Sequence, residues 1–200
     1  MAILEGTELR TFFESHLAEA LEAEALHLPQ AHVYLVGLCC EFLSGLQLET
    51  PRGERGPPAL AWLYAEAQNG PPTRRMEAHR RLGDVALGIS GLFAPHLHRP
   101  KAVVGPEYYV SMGTAAYATA ACLATRSPAR AMADVLTQLA RHFRSLVEVL
   151  VRLAERAGLP SVKEPAALME RLEVYPDSHS TLRTLGQQRL HPVWLKGGTA

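Results

Sequence analysis

Nine histidines, three cysteines and one aspartate set among apolar residues are where chemistry could reside in this chain of 200 residues. Glu24 and His27 form one Glu-x-x-His step, the spacing that carboxylate-bridged di-iron bundles use twice. No second copy accompanies it, so no metal is expected; His16, Glu24 and His27 are the nearest approach to a ligand set. His96-x-His98 falls in a proline-bracketed loop and reads as exposed and unliganded. CxxC, HExxH and EF-hand patterns are missing from the sequence. Cys39 and Cys40 fall in the middle of an apolar helix, where a thiol is packing. Ser90-Gly91 lacks the strand–turn–helix setting of a serine nucleophile, and no strand precedes Gly83, Gly88 and Gly91 to make a phosphate loop. With no catalytic constellation in view, the sequence leans away from an enzyme.

Asp84 stands apart. It follows Gly83 in the uncharged half of a helix reading LGDVALGISGLF. A carboxylate buried there must be paired or hydrogen-bonded. Arg80 and Arg81, one turn earlier, and the hydroxyls of Tyr108, Tyr109 and Tyr117 are the candidate donors. Two readings stay open: a polar network that fixes how this helix crosses the next, or the floor of a ligand pocket. Gly88, Gly91 and Gly113 fit both, since glycine admits either a second helix or a bound group close to the backbone. Gly83, Gly88 and Gly91 each cost about 1 kcal/mol in a helix interior, so compensation, a bend or a break is expected. Arg74, Arg75, Arg80 and Arg81 read as exposed bases answering an acidic first helix, with phosphate binding as the other use.

The elements that must position these groups are all helical by periodicity. A stripe of Leu9, Phe12, Phe13, Leu17, Ala20 and Leu21 predicts a helix over 7–25, with Thr7 as N-cap. Helices over 31–48, 58–69, 73–93 and 106–125 follow, separated by proline and glycine. The longest is expected over 128–157, with shorter ones over 164–174 and 178–188. The fold class is therefore all-α: a single domain over 1–188, an irregular or orthogonal bundle of seven or eight helices, with 189–200 a flexible tail.

Composition is ordinary for a globular chain, 48% hydrophobic and 20% charged. Net charge is zero but uneven: residues 1–50 hold eight acids and one base, Arg10, and the rest twelve acids and nineteen bases. No nucleic-acid partner is expected without a strongly basic face. The split points first to contact inside the molecule, and otherwise to a protein partner or self-association. Residues 108–125 carry no charge but are mostly small or polar, so no membrane span is expected. The odd cysteine count and the absence of a leader pattern suggest a reducing, cytoplasmic setting. Heavy arginine use hints at a GC-rich bacterial source.

The two motifs LGDVALGISGLF and VGPEYYVSMGTAAY resemble those of uncharacterised bacterial all-helical proteins that share LGDxxLxxxGxF followed by YYxxxGxxAY. Here the pattern falls on Leu82, Gly83, Asp84, Leu87, Gly91 and Phe93, then on Tyr108, Tyr109, Gly113, Ala116 and Tyr117. The resemblance implies a helical fold and brings no activity. More distantly, Leu82-Gly83-Asp84 and Ser90-Gly91 resemble the haem oxygenase family, whose glycine-rich helix lies against haem. Three extra residues separate the two pieces here, and His16 would have to serve as proximal ligand. No cofactor is expected from the residues themselves; haem is the alternative this resemblance implies. The functional expectation is a non-enzymatic interaction or regulatory module, or else a small-molecule or haem-type pocket between the fourth and fifth helices.

Overall fold

The computed structural model describes residues 6–43, 60–94, 105–126 and 129–157. Among them are seven helices and no strand: α1 (Gly6–Ala23), α2 (Pro29–Leu43), α3 (Leu60–Asn69), α4 (Pro72–Gly91), α5 (Pro106–Ala124), α6 (Arg130–Arg141) and α7 (Phe143–Arg156). The all-α bundle expected from periodicity is what forms. The helices expected over 164–174 and 178–188, the tail, and the His96–His98 loop lie outside the described residues.

Proline opens α2, α4 and α5, where its missing N–H would have had no intrahelical partner. α1 buries its stripe through Phe13, Leu17, Ala20 and Leu21. It closes through Ala25, held at φ 53° while its N–H bonds the Glu22 carbonyl and the Leu26 N–H bonds that of Leu21, both at 2.9 Å. This pair of bonds around a left-handed residue is the usual helix stop, with alanine where glycine is commoner. α2 buries Leu35, Val36, Leu38, Cys39 and Phe42 but leaves Val33 60% exposed.

α4 and α5 make the most extensive helix–helix contact and form the centre of the bundle. Every residue from Leu82 to Phe93 is buried, and α4 runs unbroken through all three glycines. The compensation lies in what each glycine admits. A Cβ at Gly88 would sit 2.1 Å from the Phe42 ring, at Gly91 2.6 Å from the Leu150 Cβ, and at Gly113 2.2 Å from the Phe143 ring. Burying a large apolar side chain is worth about 1.5–3 kcal/mol, against about 1 kcal/mol for each helical glycine. Packing wins.

Two expectations need correction. Thr7 is not an N-cap, because α1 already includes Gly6. The long helix over 128–157 is two, broken at His142 (φ −105°, ψ 16°). The seam Leu136, Leu139, Phe143, Leu146, Leu150 and Leu153 stays buried across the break, which is why periodicity alone joins the halves. At the break, Phe143 turns its ring onto Gly113, with its centroid 5.9 Å from that of Tyr117.

Candidate functional site

Asp84 is 2% exposed and is the meeting point of three helices. Its Oδ1 accepts from the Tyr34 hydroxyl of α2 at 2.5 Å and from the Tyr117 hydroxyl of α5 at 2.8 Å. Its Oδ2 accepts from Arg80 Nη1 of its own helix at 2.8 Å. The same Nη1 donates to the Tyr34 oxygen at 2.8 Å, closing a ring of donors and acceptors. All three groups that bond the carboxyl are donors to it, the pattern an ionised acceptor requires.

Gly83 is part of this arrangement. A Cβ there would lie 2.5 Å from the Tyr117 ring. Its absence lets that ring lie flat on α4, so that the hydroxyl reaches the next residue, Asp84. The adjacent Gly-Asp pair and the tyrosine that ends the second motif thus act together.

Outward from Asp84 the network becomes ionic. Arg80 Nε and Nη2 grip the two Glu77 oxygens at 2.8 and 2.5 Å, a bidentate pair. Arg81 bonds Glu41 of α2 at 3.1 Å and approaches Glu77 at 3.3 Å. The chain of contacts runs from solvent-exposed Glu41 and Glu77 to a fully enclosed carboxylate within two turns of α4.

Burial pushes the Asp84 carboxyl above the usual carboxylate range, against the pull of Arg80 and the two phenols. Burial first, and then the Asp84 charge, push both Tyr34 and Tyr117 above the ordinary phenol range. Burial would lower Arg80, but its bonds to Glu77 and the charge of Asp84 outweigh that and hold it charged. Glu77 is pushed up by partial burial and pulled further down by Arg80 and Arg81, ending below the usual range. The phenols therefore stay protonated and the guanidinium charged: a set suited to holding a fixed geometry rather than moving a proton.

Of the expected donors, Arg80 and Tyr117 reach Asp84. Arg81 serves Glu41 and Glu77 instead. Tyr108 and Tyr109 pack edge-on with centroids 5.6 Å apart, and burial and then the neighbouring Tyr64 raise the Tyr108 phenol. Their hydroxyls do not join the Asp84 network. Tyr34 is the member that sequence reasoning missed. Its only signal was a polar tip in a helix otherwise apolar on nearly every side. Nor do the four arginines answer α1: Arg74 lies 3.8 Å from Glu66, Arg75 Nε donates to the Ala67 carbonyl at 3.2 Å, and Arg80 and Arg81 pair as above.

The other candidates are dispersed. His16 bonds the Phe12 carbonyl through Nδ1 at 2.9 Å and stacks on the Phe12 ring, while Glu24 is ion-paired with Arg152. His27 is exposed at the turn after α1. Among the described residues, no three histidine, cysteine or acidic side chains gather as a metal site. The Ser90 hydroxyl is bonded back to the Ala86 carbonyl at 2.6 Å, and burial pushes the Cys39 thiol up to about 12.

Set against protein-family models, curated proteins and solved structures, the chain matches none. Among the described residues, no helix is long and apolar enough to cross a membrane.

Proposed function

We propose that this protein is a non-enzymatic helical interaction module. The observation that carries the reading is the internal engagement of Asp84, whose two oxygens already hold three donors from the same chain. The glycines that a flat ligand would need are packed against Phe42, Leu150 and Phe143. Asp84, Arg80, Tyr34 and Tyr117, the described groups with the right chemistry for catalysis, are thus engaged in holding helices together. The bipolar charge of the chain fits recognition of another macromolecule, because complementary potentials steer association and select partners.

A haem-type pocket at the α4–α5 crossing is the opposing reading, and haemin titration tests the two directly. Followed by absorbance and melting temperature, the module reading expects no saturable one-to-one Soret band. A saturating band that raises the melting temperature, and that Asp84→Asn abolishes in a still-folded protein, overturns it.

A further inference from the structure

The turn between α1 and α2 carries an open hollow of about 410 Å³, lined by Ala18, Leu21, Glu22, Leu26, Leu28 and His32 among others. Its floor is apolar: Leu21 and Leu28 are buried there, and Leu26 is half-buried. Its volume lies in the range of about 300–1,000 Å³ that admits a small ligand or an anchoring side chain. The formal charges at the rim are negative. Glu22 lines the hollow beside His27 and His32, and Glu19 stands exposed one turn earlier on α1 without itself lining it. Neither has an ion-pair partner among the described residues, whereas Glu14 and Glu24 are paired with Arg10 and Arg152. On α2, whose Pro29 and His32 line the hollow, Val33 is 60% exposed.

An apolar centre inside a charged rim is the anatomy of a docking site for an anchored segment. We infer that this corner receives a basic amphipathic helix of a partner protein, one large apolar side chain entering the hollow and lysine or arginine facing Glu19 and Glu22. The sign of the rim selects the occupant. A second copy docked through the same patch would set these glutamates against each other, since a two-fold interface pairs a surface with itself. The inference rests on the interaction-module reading and supplies its surface and partner class.

The test uses the full chain and a fluorescein-labelled amphipathic peptide of leucine and lysine, with a leucine–glutamate peptide as control, followed by anisotropy. The lysine peptide should bind and the glutamate peptide should not. Ala18→Trp, which fills the hollow, and the pair Glu19→Lys with Glu22→Lys should each weaken binding by about tenfold or more. Both variants change exposed positions and should keep the wild-type melting temperature and circular dichroism. Undiminished binding by either folded variant, or no binding by the wild type, overturns the inference. So does light scattering that shows a dimer broken by Ala18→Trp. Hydrogen exchange on the peptide complex separates the two levels. Protection over α1 and α2 supports this site. Protection confined to another face removes the site but leaves the interaction reading standing, and the Soret titration decides that reading separately.

Discussion

The two halves of α4 meet the rest of the molecule by opposite means. From Glu77 to Asp84 the helix is joined to α2 and α5 by charge and hydrogen bonds that become progressively drier toward Asp84. From Ala86 to Gly91 it is joined by shape alone, with Phe42 and Leu150 pressed onto glycine. The polar half is specific in direction, because a donor must meet an acceptor. The apolar half is specific in distance, because a single methyl group has nowhere to go. Gly83 sits where the two devices overlap, and it uses a steric vacancy to place a hydrogen bond.

Breaking the polar half should have the largest effect. Asp84→Ala removes the acceptor of the buried Tyr117 phenol, of the partly buried Tyr34 phenol and of one Arg80 bond, leaving Glu77 as the acidic partner of Arg80, and losing one member of a buried ionic network costs about 3–5 kcal/mol. Urea unfolding reads this as a lower midpoint with an unchanged slope.

The polar half also has a pH signature, through His79. This side chain is buried, and burial, then the Arg75 charge, lower it to about 4 from 6.5, against a backbone hydrogen bond at Ala67. A lowered histidine favours folding while it is neutral. Its contribution is complete above pH 6.5 and is lost as pH falls toward about 4, because the unfolded chain then binds the extra proton. The loss is up to about 3 kcal/mol over that window. Asp84 and Glu77 are shifted in opposite senses at acid pH, so the comparison to make is wild type against His79→Gln. The variant should show a flatter decline in melting temperature between pH 6.5 and 4.

Gly83→Ala probes the overlap. On an exposed helix face the change gains about 1 kcal/mol. Here the new methyl meets the Tyr117 ring, and overpacking of about 1–3 kcal/mol should make the substitution net destabilising. The smallest effect lies away from α4. Ala25→Gly relieves a left-handed alanine worth about 1–2 kcal/mol, less the added freedom of the unfolded chain. A net gain of about 0.5 kcal/mol is expected in the same unfolding assay.

Most of the fold was legible because the apolar stripes of α1 and α4 and the prolines before α2, α4 and α5 are local signals. Arg80 was legible as a partner of Asp84 by its four-residue spacing on one helix. Tyr117 was legible as one of three tyrosine hydroxyls in the second motif. Tyr34 was not, because it lies 50 residues before Asp84 and nothing local sets how α2 is rotated against α4. Tyr108 and Tyr109 were equally good by residue type, and only the direction each side chain leaves α5 separates them from Tyr117. The break at His142 escaped for a related reason: the seam it interrupts is continuous in sequence, and the packing of Phe143 that accompanies it is a tertiary event.

The Tyr34–Asp84 bond most directly carries the claim that this carboxylate exists to lock three helices together. A double-mutant cycle on Tyr34→Phe and Asp84→Asn, by equilibrium unfolding in urea, isolates it. A coupling of about 0.5–3 kcal/mol is expected, as for residues sharing one hydrogen-bond network. Costs that simply add, within about 0.3 kcal/mol, would contradict it.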